Sequence, residues 1–379
     1  MKKKVGIVTG YDLYNYGNRL QNYAVQTVLE SMGLECHTLV PDQLFYPPMA
    51  VRVKLWLKAR LCSVFPYSIA KKWPDVTRRY NIDQFNRNIH FKAVKCKDNR
   101  FPESIANEYD SFVAGSDQVW NPYFWKAAVG SEEAGFSNHL LCFARPEQRK
   151  CFSPSIGINA LPPEWDDRFR EAWTTYRDLG VREKEGAQLI AQLTGRTDVE
   201  VMVDPTLMLD AEDWRKVMRV NKARPRQKYV LYMLLGKESE EIPEDKKAYL
   251  NHMMYEKHLL GLRMRIRQRP EIFASGAGEF LDLLSNAELV VTDSFHCVVF
   301  SFLFGKPFLL FKREISKYNI DMSSRTNTLL EMLNLQHKRM ENQIWDDEHV
   351  FACDYTSGWE NLRLARQKTK DFLERTFYI

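Results

Sequence analysis

Apolar and polar positions along this chain come in blocks. Short apolar runs rich in β-branched residues stop abruptly at a polar knot, and the segment behind each knot ends at a glycine. Uninterrupted runs of that kind suit strands buried on both faces, and the glycines suit helix ends. The clearest case is Glu288 to Phe311. Leu289 to Val291 predicts a strand; Thr292, Asp293 and Ser294 are N-cap residue types; Cys297 to Phe304 predicts a helix stopped by Gly305, with Pro307 beyond; and Phe308 to Phe311 predicts a second strand. Strand, helix and strand make a βαβ unit. Its first turn lies where backbone amides and a helix dipole favour an anion, and His296 sits in that turn. A packed core histidine is the competing reading.

The same grammar runs through the rest. Lys4 to Gly10 predicts a buried strand, Arg19 to Met32 a helix stopped by Gly33, and Glu35 to Val40 the next strand. On the helix, Leu20, Tyr23, Ala24, Thr27, Val28 and Ser31 follow the i, i+3, i+4 spacing, which leaves the loop before it at the strand's carboxyl end. Asn15, Asn18 and Gln21 supply amides there, for a sugar or phosphate or simply for the turn. Asp110 to Gly115 predicts a strand running into Ser116-Asp117-Gln118-Val119-Trp120. A carboxylate and an amide beside a large ring suit carbohydrate, and equally a turn with an aromatic plug. Arg149 to Gly157 and Tyr176 to Val181 predict further strands, the second leaving Arg182 at the start of a helix Glu185 to Leu193 closed by Gly195. A cation at a helix amino terminus is unfavourable unless an anion shares it, so Arg182 is a candidate anion ligand. Val199 to Val203 is a strand that ends in Asp204-Pro205-Thr206. The stretch Trp214 to Arg226 reads as a linker, and Tyr229 restarts the pattern with a charged loop from Lys237 to Lys247 behind it.

The expected architecture is therefore α/β in two domains, 1–210 and 225–345, with the last helix, from residue 359 to the end, packing back on the first. Polar knots behind strands would then face one cleft between the domains.

Composition narrows the functional classes. Apolar residues at 45% and charged residues at 27% are ordinary for a globular protein. No run of about 18 apolar residues offers a membrane span and no cleavable leader is visible. The seven cysteines form no Cys-x-x-Cys pair, which argues for a reducing cytoplasm and against a zinc ribbon. No metal cluster is visible. Gly6, Gly10 and Gly17 do not spell the dinucleotide fingerprint, so NAD is not expected. Charge is unevenly placed: residues 51–100 hold 13 Lys or Arg against 3 Asp. Within them, 51–72 mixes basic and aromatic residues without any acid, as a helix resting on anionic lipid would, or a solvated basic helix covering the core. Nucleic acid would want more regular basic and stacking motifs.

Five motifs in order carry a family resemblance: Asn15-Tyr16-Gly17-Asn18 with Gln21; Gly115 to Asn121; Val181-Arg182-Glu183-Lys184; Val203 to Thr206; and Asp293 to His296 with Gly305-Lys306-Pro307. Together they resemble the polysaccharide pyruvyltransferase family along nearly the whole chain. The resemblance implies two Rossmann-like domains in a GT-B-like arrangement with an interdomain cleft. It implies transfer of the enolpyruvyl group of phosphoenolpyruvate onto two hydroxyls of a sugar, releasing phosphate and needing no cofactor. The acceptor would belong to a surface polysaccharide or a lipid-linked precursor such as a polyprenyl-diphosphate-linked oligosaccharide.

By the same resemblance, Arg182 and His296 are phosphoenolpyruvate ligands, with Ser294 in the same turn where some relatives carry an arginine. A family lysine falls on either Lys312 or Lys317, and Arg313 or Arg325 can supply a further anion contact. From the chemistry of the residues, Arg182 is expected to neutralise the phosphate, His296 to handle protons or the leaving group, and Asp117 to hold or activate the acceptor, with Asn15, Tyr16, Asn18, Gln21, Gln118 and Trp120 as further acceptor-binding residues. A glycosyltransferase using a nucleotide sugar, or a non-catalytic glycan-binding protein, would share much of this pattern.

Overall fold

A computed structural model describes residues 2–12, 15–45, 53, 57–58, 60–61, 69, 71–236, 242–264, 268–312 and 323–378. The chain divides into two compact units, each with its own parallel sheet.

The first unit comprises residues 1–53, 87–209 and 363–379. Its five strands are β1 (Lys4–Val8), β2 (Glu35–Pro41), β3 (Phe91–Val94), β4 (Ser111–Asp117) and β5 (Arg149–Pro154), in the order β3-β2-β1-β4-β5 with every pair parallel. The central strands β1 and β4 are buried along nearly their whole length, as suits strands covered on both faces. Close approach of β4 to β5 depends on Gly115, where a Cβ would stand 2.3 Å from the Phe152 carbonyl oxygen. A short parallel pair, β6 (Gly180–Val181) and β7 (Glu200–Val201), adds to this unit. The first helix spans Tyr16–Ser31 and begins three residues before the expected start. Asn15 is its N-cap, accepting a 3.2 Å hydrogen bond from the Asn18 amide, an arrangement typically worth about 1 kcal/mol. The last helix, Thr356–Phe377, returns to this unit from residue 363. Arg366 donates to the Leu207 and Leu209 carbonyls, and the Thr369 hydroxyl accepts from the Val203 amide.

The second unit comprises 54–86 and 210–362. Its sheet runs β11-β10-β8-β9, all parallel, from β8 (Tyr229–Met233), β9 (Leu260–Arg263), β10 (Leu289–Thr292) and β11 (Phe308–Leu310). Val230, Tyr232, Leu289, Val291, Leu309 and Phe311 form the middle of its core.

Three expectations change. Residues 54–86 belong to the second unit rather than the first. In the helix Pro74–Phe85, the Asn81 side chain donates to the Ala274 carbonyl at 2.9 Å and Arg78 to that of Phe273. The supposed linker contains a helix, Ala211–Val217, because Trp214 is fully buried edge-on to Phe300. The supposed charged loop turns into a helix at Glu244, which runs to Glu256. Most of the basic segment 51–72, fourteen of its residues, lies outside the described residues.

Candidate functional site

In the first unit the chain proceeds from β1 outward in one direction and from β4 in the other, so β1 and β4 form a topological switch point. Their carboxyl ends are where an α/β sheet leaves room for a ligand. A cavity of about 530 Å³ opens there, lined among others by Tyr11, Asp12, Asn15, Asn18, Asp117, Gln118, Phe124 and His139.

Asp117 ends β4 in the left-handed region, φ 68°, a conformation that costs a non-glycine residue on the order of 1 kcal/mol or more. Surrounding bonds hold it there. Its carbonyl accepts from the Val119 and Ser155 amides, both at 2.8 Å, and its carboxylate accepts from the Asn18 side chain at 3.1 Å. Asn18 in turn accepts from the Asp12 amide at 3.2 Å and from the fully buried Arg19, which also donates to the Gly10 carbonyl at 2.6 Å. Gln118 lies over Gly157, where φ is 67° and a Cβ would come within 2.0 Å of the Gln118 amide nitrogen.

The structure redistributes the other candidates from this region. Gln21 is fully engaged: it donates to the Thr9 hydroxyl and the Asn18 carbonyl and accepts from the Ser116 amide, pinning the first helix to β1 and β4. Trp120 is not a stacking platform. It is completely buried, its indole N–H donates to the His139 carbonyl at 3.0 Å, and its ring packs on Trp173 and Tyr176. Tyr16 is buried in the first helical turn and is not among the residues lining the cavity.

Arg182 is not an open anion ligand either. Its buried guanidinium pairs with Asp204 and stands 3.8 Å from Asp117. Burial opposes its charge, but Asp204, then Asp117 and Glu183, more than compensate and raise its pKa. Asp204 also accepts from the Thr206 amide and hydroxyl at 2.9 and 2.6 Å. Glu183, buried beside Arg182, accepts from the Ser155 hydroxyl and from the Ile156 and Gly157 amides. The Val181–Lys184 and Val203–Thr206 motifs thus form one buried lock behind Asp117. Sequence reasoning missed Glu183 and Asp204 although both stood inside quoted motifs, because only tertiary pairing gives them work.

His139 was missed altogether. It ends the helix Glu132–His139, whose polar sequence carries no amphipathic signal. A helix carboxyl terminus favours a cation by about 0.3–1 kcal/mol. Burial wins: it pushes the His139 pKa down to about 4, a penalty on protonation of roughly 3 kcal/mol.

In the second unit, β8 and β10 form the corresponding switch point. The Thr292 hydroxyl donates to the Met233 carbonyl at 2.8 Å and accepts from the Ser294 amide at 3.0 Å. The Asp293 carboxylate accepts from the Leu235 and Gly236 amides at 2.9 and 3.1 Å, joining the ends of β8 and β10. The helix spans Phe295–Leu303, so His296 is in its first turn rather than in the loop before it. Ser294 is the N-cap and its hydroxyl makes no capping bond. The His296 ring lies edge-on to Phe295 and is about 9% exposed. Lys312 emerges exposed just beyond β11, on the same carboxyl edge. Arg325, nine-tenths buried, opens the helix Ser324–Leu333. That helix start is tied to β11 through Arg339, which bridges to Leu310 and donates to the Thr326 hydroxyl at 3.2 Å. Lys317 and Arg313 lie outside the described residues.

These are two doubly wound α/β units of the kind that hold ligands at the carboxyl ends of parallel strands. The chain belongs to the polysaccharide pyruvyl transferase family, whose model matches residues 15–314, and it is a transferase. No curated protein matches it. Among solved structures it is similar to Staphylococcus aureus MnaA with UDP, at 12% identity and TM-score 0.48, covering 100% of this chain and 97% of that one. It is also similar to the UDP-GlcNAc 2-epimerase of Methanocaldococcus jannaschii, at 11% identity and TM-score 0.45, covering 97% and 99%. A glycosyltransferase from Rickettsia africae matches at 9% identity and TM-score 0.46, covering 99% of each chain. Among the described residues, no helix is long and apolar enough to cross a membrane.

Proposed function

We propose that this transferase takes its pyruvyl group from phosphoenolpyruvate and closes it as a ketal on two hydroxyls of a sugar, releasing phosphate. The observation that carries the reading is a contrast of charge between the two switch points. The β1/β4 cavity is lined by Asp12, Asp117, Asn15, Asn18 and Gln118, with no lysine or arginine among the described residues that line it. Such a lining repels a phosphate and suits a neutral polyol. The β8/β10 turn presents a helix amino terminus and His296, with Lys312 on the same strand edge, a set matched to a small dianion.

In this scheme the sugar occupies the first cavity and Asp117 accepts a hydrogen bond from the attacking hydroxyl. Arg182 acts as a positioning residue, locked by Asp204 behind Asp117. Phosphoenolpyruvate lies at the second turn, with Ser294, Lys312 and Arg325 as phosphate and carboxylate ligands, joined by Lys317 if the lysine role falls there. His296 moves the proton. One acceptor hydroxyl proton ends on the methylene carbon, which becomes a methyl group. The second hydroxyl closes the ring, and its proton leaves with phosphate. The donor carries its own activated group, so the reaction calls for no cofactor or metal. The acceptor is carried on a lipid, and the basic segment 51–72 brings the enzyme to that anionic surface.

Two measurements test this. Phosphoenolpyruvate raises the melting midpoint while nucleotide sugars leave it unchanged. Incubation with phosphoenolpyruvate and lipid-linked oligosaccharides raises the acceptor's mass by that of pyruvic acid less one water, and releases one phosphate per addition. Stabilisation by a nucleotide sugar alone would overturn the reading in favour of glycosyl transfer.

A further inference from the structure

The first cavity holds a side chain that neither the motifs nor this scheme uses. His139 lines it, is about 3% exposed, and its Nδ1 has no hydrogen-bond partner among the described residues. Buried polar atoms are nearly always paired, so an unmatched one beside a cavity points to a ligand atom. The nearby indoles do not serve it: Trp120 donates to the His139 backbone carbonyl and Trp125 to the Val119 carbonyl. Burial keeps the ring neutral, so one of its two nitrogens carries the proton and the other a lone pair. With the proton on Nε2, the unmatched Nδ1 is an acceptor waiting for a donor.

The rest of the lining says which donor fits. Asp117 and Asp12 are acceptors, and Asn15, Asn18 and Gln118 are amides. Phe124, more than a third exposed, offers a ring to an apolar face. Acceptors spread around an apolar surface match the hydroxyls and the C–H face of a pyranose.

We infer that His139 is a specificity-determining residue for the acceptor, its Nδ1 accepting a hydrogen bond from one hydroxyl of the sugar in the β1/β4 cavity. This rests on the reading that the cavity takes the acceptor. A site that hydrogen-bonds a particular hydroxyl rejects the analogue lacking it, because the buried partner is then left unmatched.

The test uses the full chain with its histidine rings labelled with 15N. It is titrated with methyl pyranosides of galactose, glucose, mannose and N-acetylmannosamine and with their monodeoxy forms. The His139 resonance is assigned by its loss in His139→Gln. At least one pyranoside shifts Nδ1, and one of its deoxy forms binds at least tenfold more weakly without shifting it. His139→Leu binds parent and deoxy form alike, while His139→Gln keeps part of the difference. Should the leucine variant fail to fold, the wild-type Nδ1 shift and the glutamine variant carry the comparison. Undiminished discrimination in His139→Leu, or a Nδ1 resonance that no sugar moves, would overturn the inference. Phosphate release from phosphoenolpyruvate with lipid-linked oligosaccharides, measured on the same protein, separates the two ideas. Discrimination through His139 without phosphate release sinks only the transfer reaction. Phosphate release with discrimination independent of His139 sinks only this inference.

Discussion

The two switch points are built to one plan and filled with opposite chemistry. At β1/β4 the strand-end carboxylate of Asp117 lines a cavity, with a side-chain amide on one oxygen and a buried guanidinium behind the other. At β8/β10 the strand-end carboxylate of Asp293 is spent on two backbone amides, and what remains is a helix amino terminus with His296 in its first turn. The parallel sheet places a polar turn at the strands' carboxyl ends in both units. Which carboxylate is spent on the backbone and which lines a cavity decides what each site can hold.

Breaking the cationic side has the largest expected effect. His296→Ala lowers the turnover of phosphoenolpyruvate by about 10²–10⁴-fold, the range for loss of a proton-transfer group, while pyranoside binding is unchanged. Equal losses of turnover and sugar binding would mean that the two sites are not chemically separate.

The lock behind Asp117 is tested by Asp204→Ala, which leaves Arg182 buried with its main partner gone. Denaturant unfolding is expected to show a loss of about 3–5 kcal/mol. A variant within about 1 kcal/mol of the parent would show that the pair is dispensable.

Acid acts on the first unit through His139. Unfolded, it titrates near 6.5; folded, near 4. Between those values the unfolded chain holds the extra proton, so its contribution to stability is lost as pH falls, by roughly 3 kcal/mol in all. His139→Leu flattens that slope between pH 6.5 and 4, and an unchanged slope would assign the acid sensitivity elsewhere.

The smallest change is Asp117→Asn. Asparagine tolerates the left-handed backbone, so stability shifts by about 1 kcal/mol or less. The charge facing the acceptor is gone, and the acceptor KM rises by about tenfold while the KM for phosphoenolpyruvate stays put.

Much of the frame was legible. Lys4–Val8, Ser111–Asp117 and Leu289–Thr292 are central strands, apolar on both faces, and such runs announce themselves. The edge strands Phe91–Val94 and Leu260–Arg263 were not, because one polar residue in four hides so short an alternation. Asn15, Asn18, Asp117 and Gln118 were legible as polar residues at or just beyond strand ends, and all four line the cavity. Gln21, Trp120 and Arg182 carry equally suitable chemistry, yet the fold spends it internally.

By itself the sequence determines that parallel strands alternate with helices, and that polar residues collect at the strands' carboxyl ends. Local patterning and capping suffice for that. Only the tertiary structure decides the strand order that makes β1/β4 and β8/β10 the switch points. It also decides that Asp204 pairs with Arg182, that Glu183 caps the Ser155–Gly157 turn, and that His139, from a helix with no signal at all, lines the cavity. Those outcomes depend on which side chains meet after long stretches of intervening chain, and no local pattern encodes such pairings.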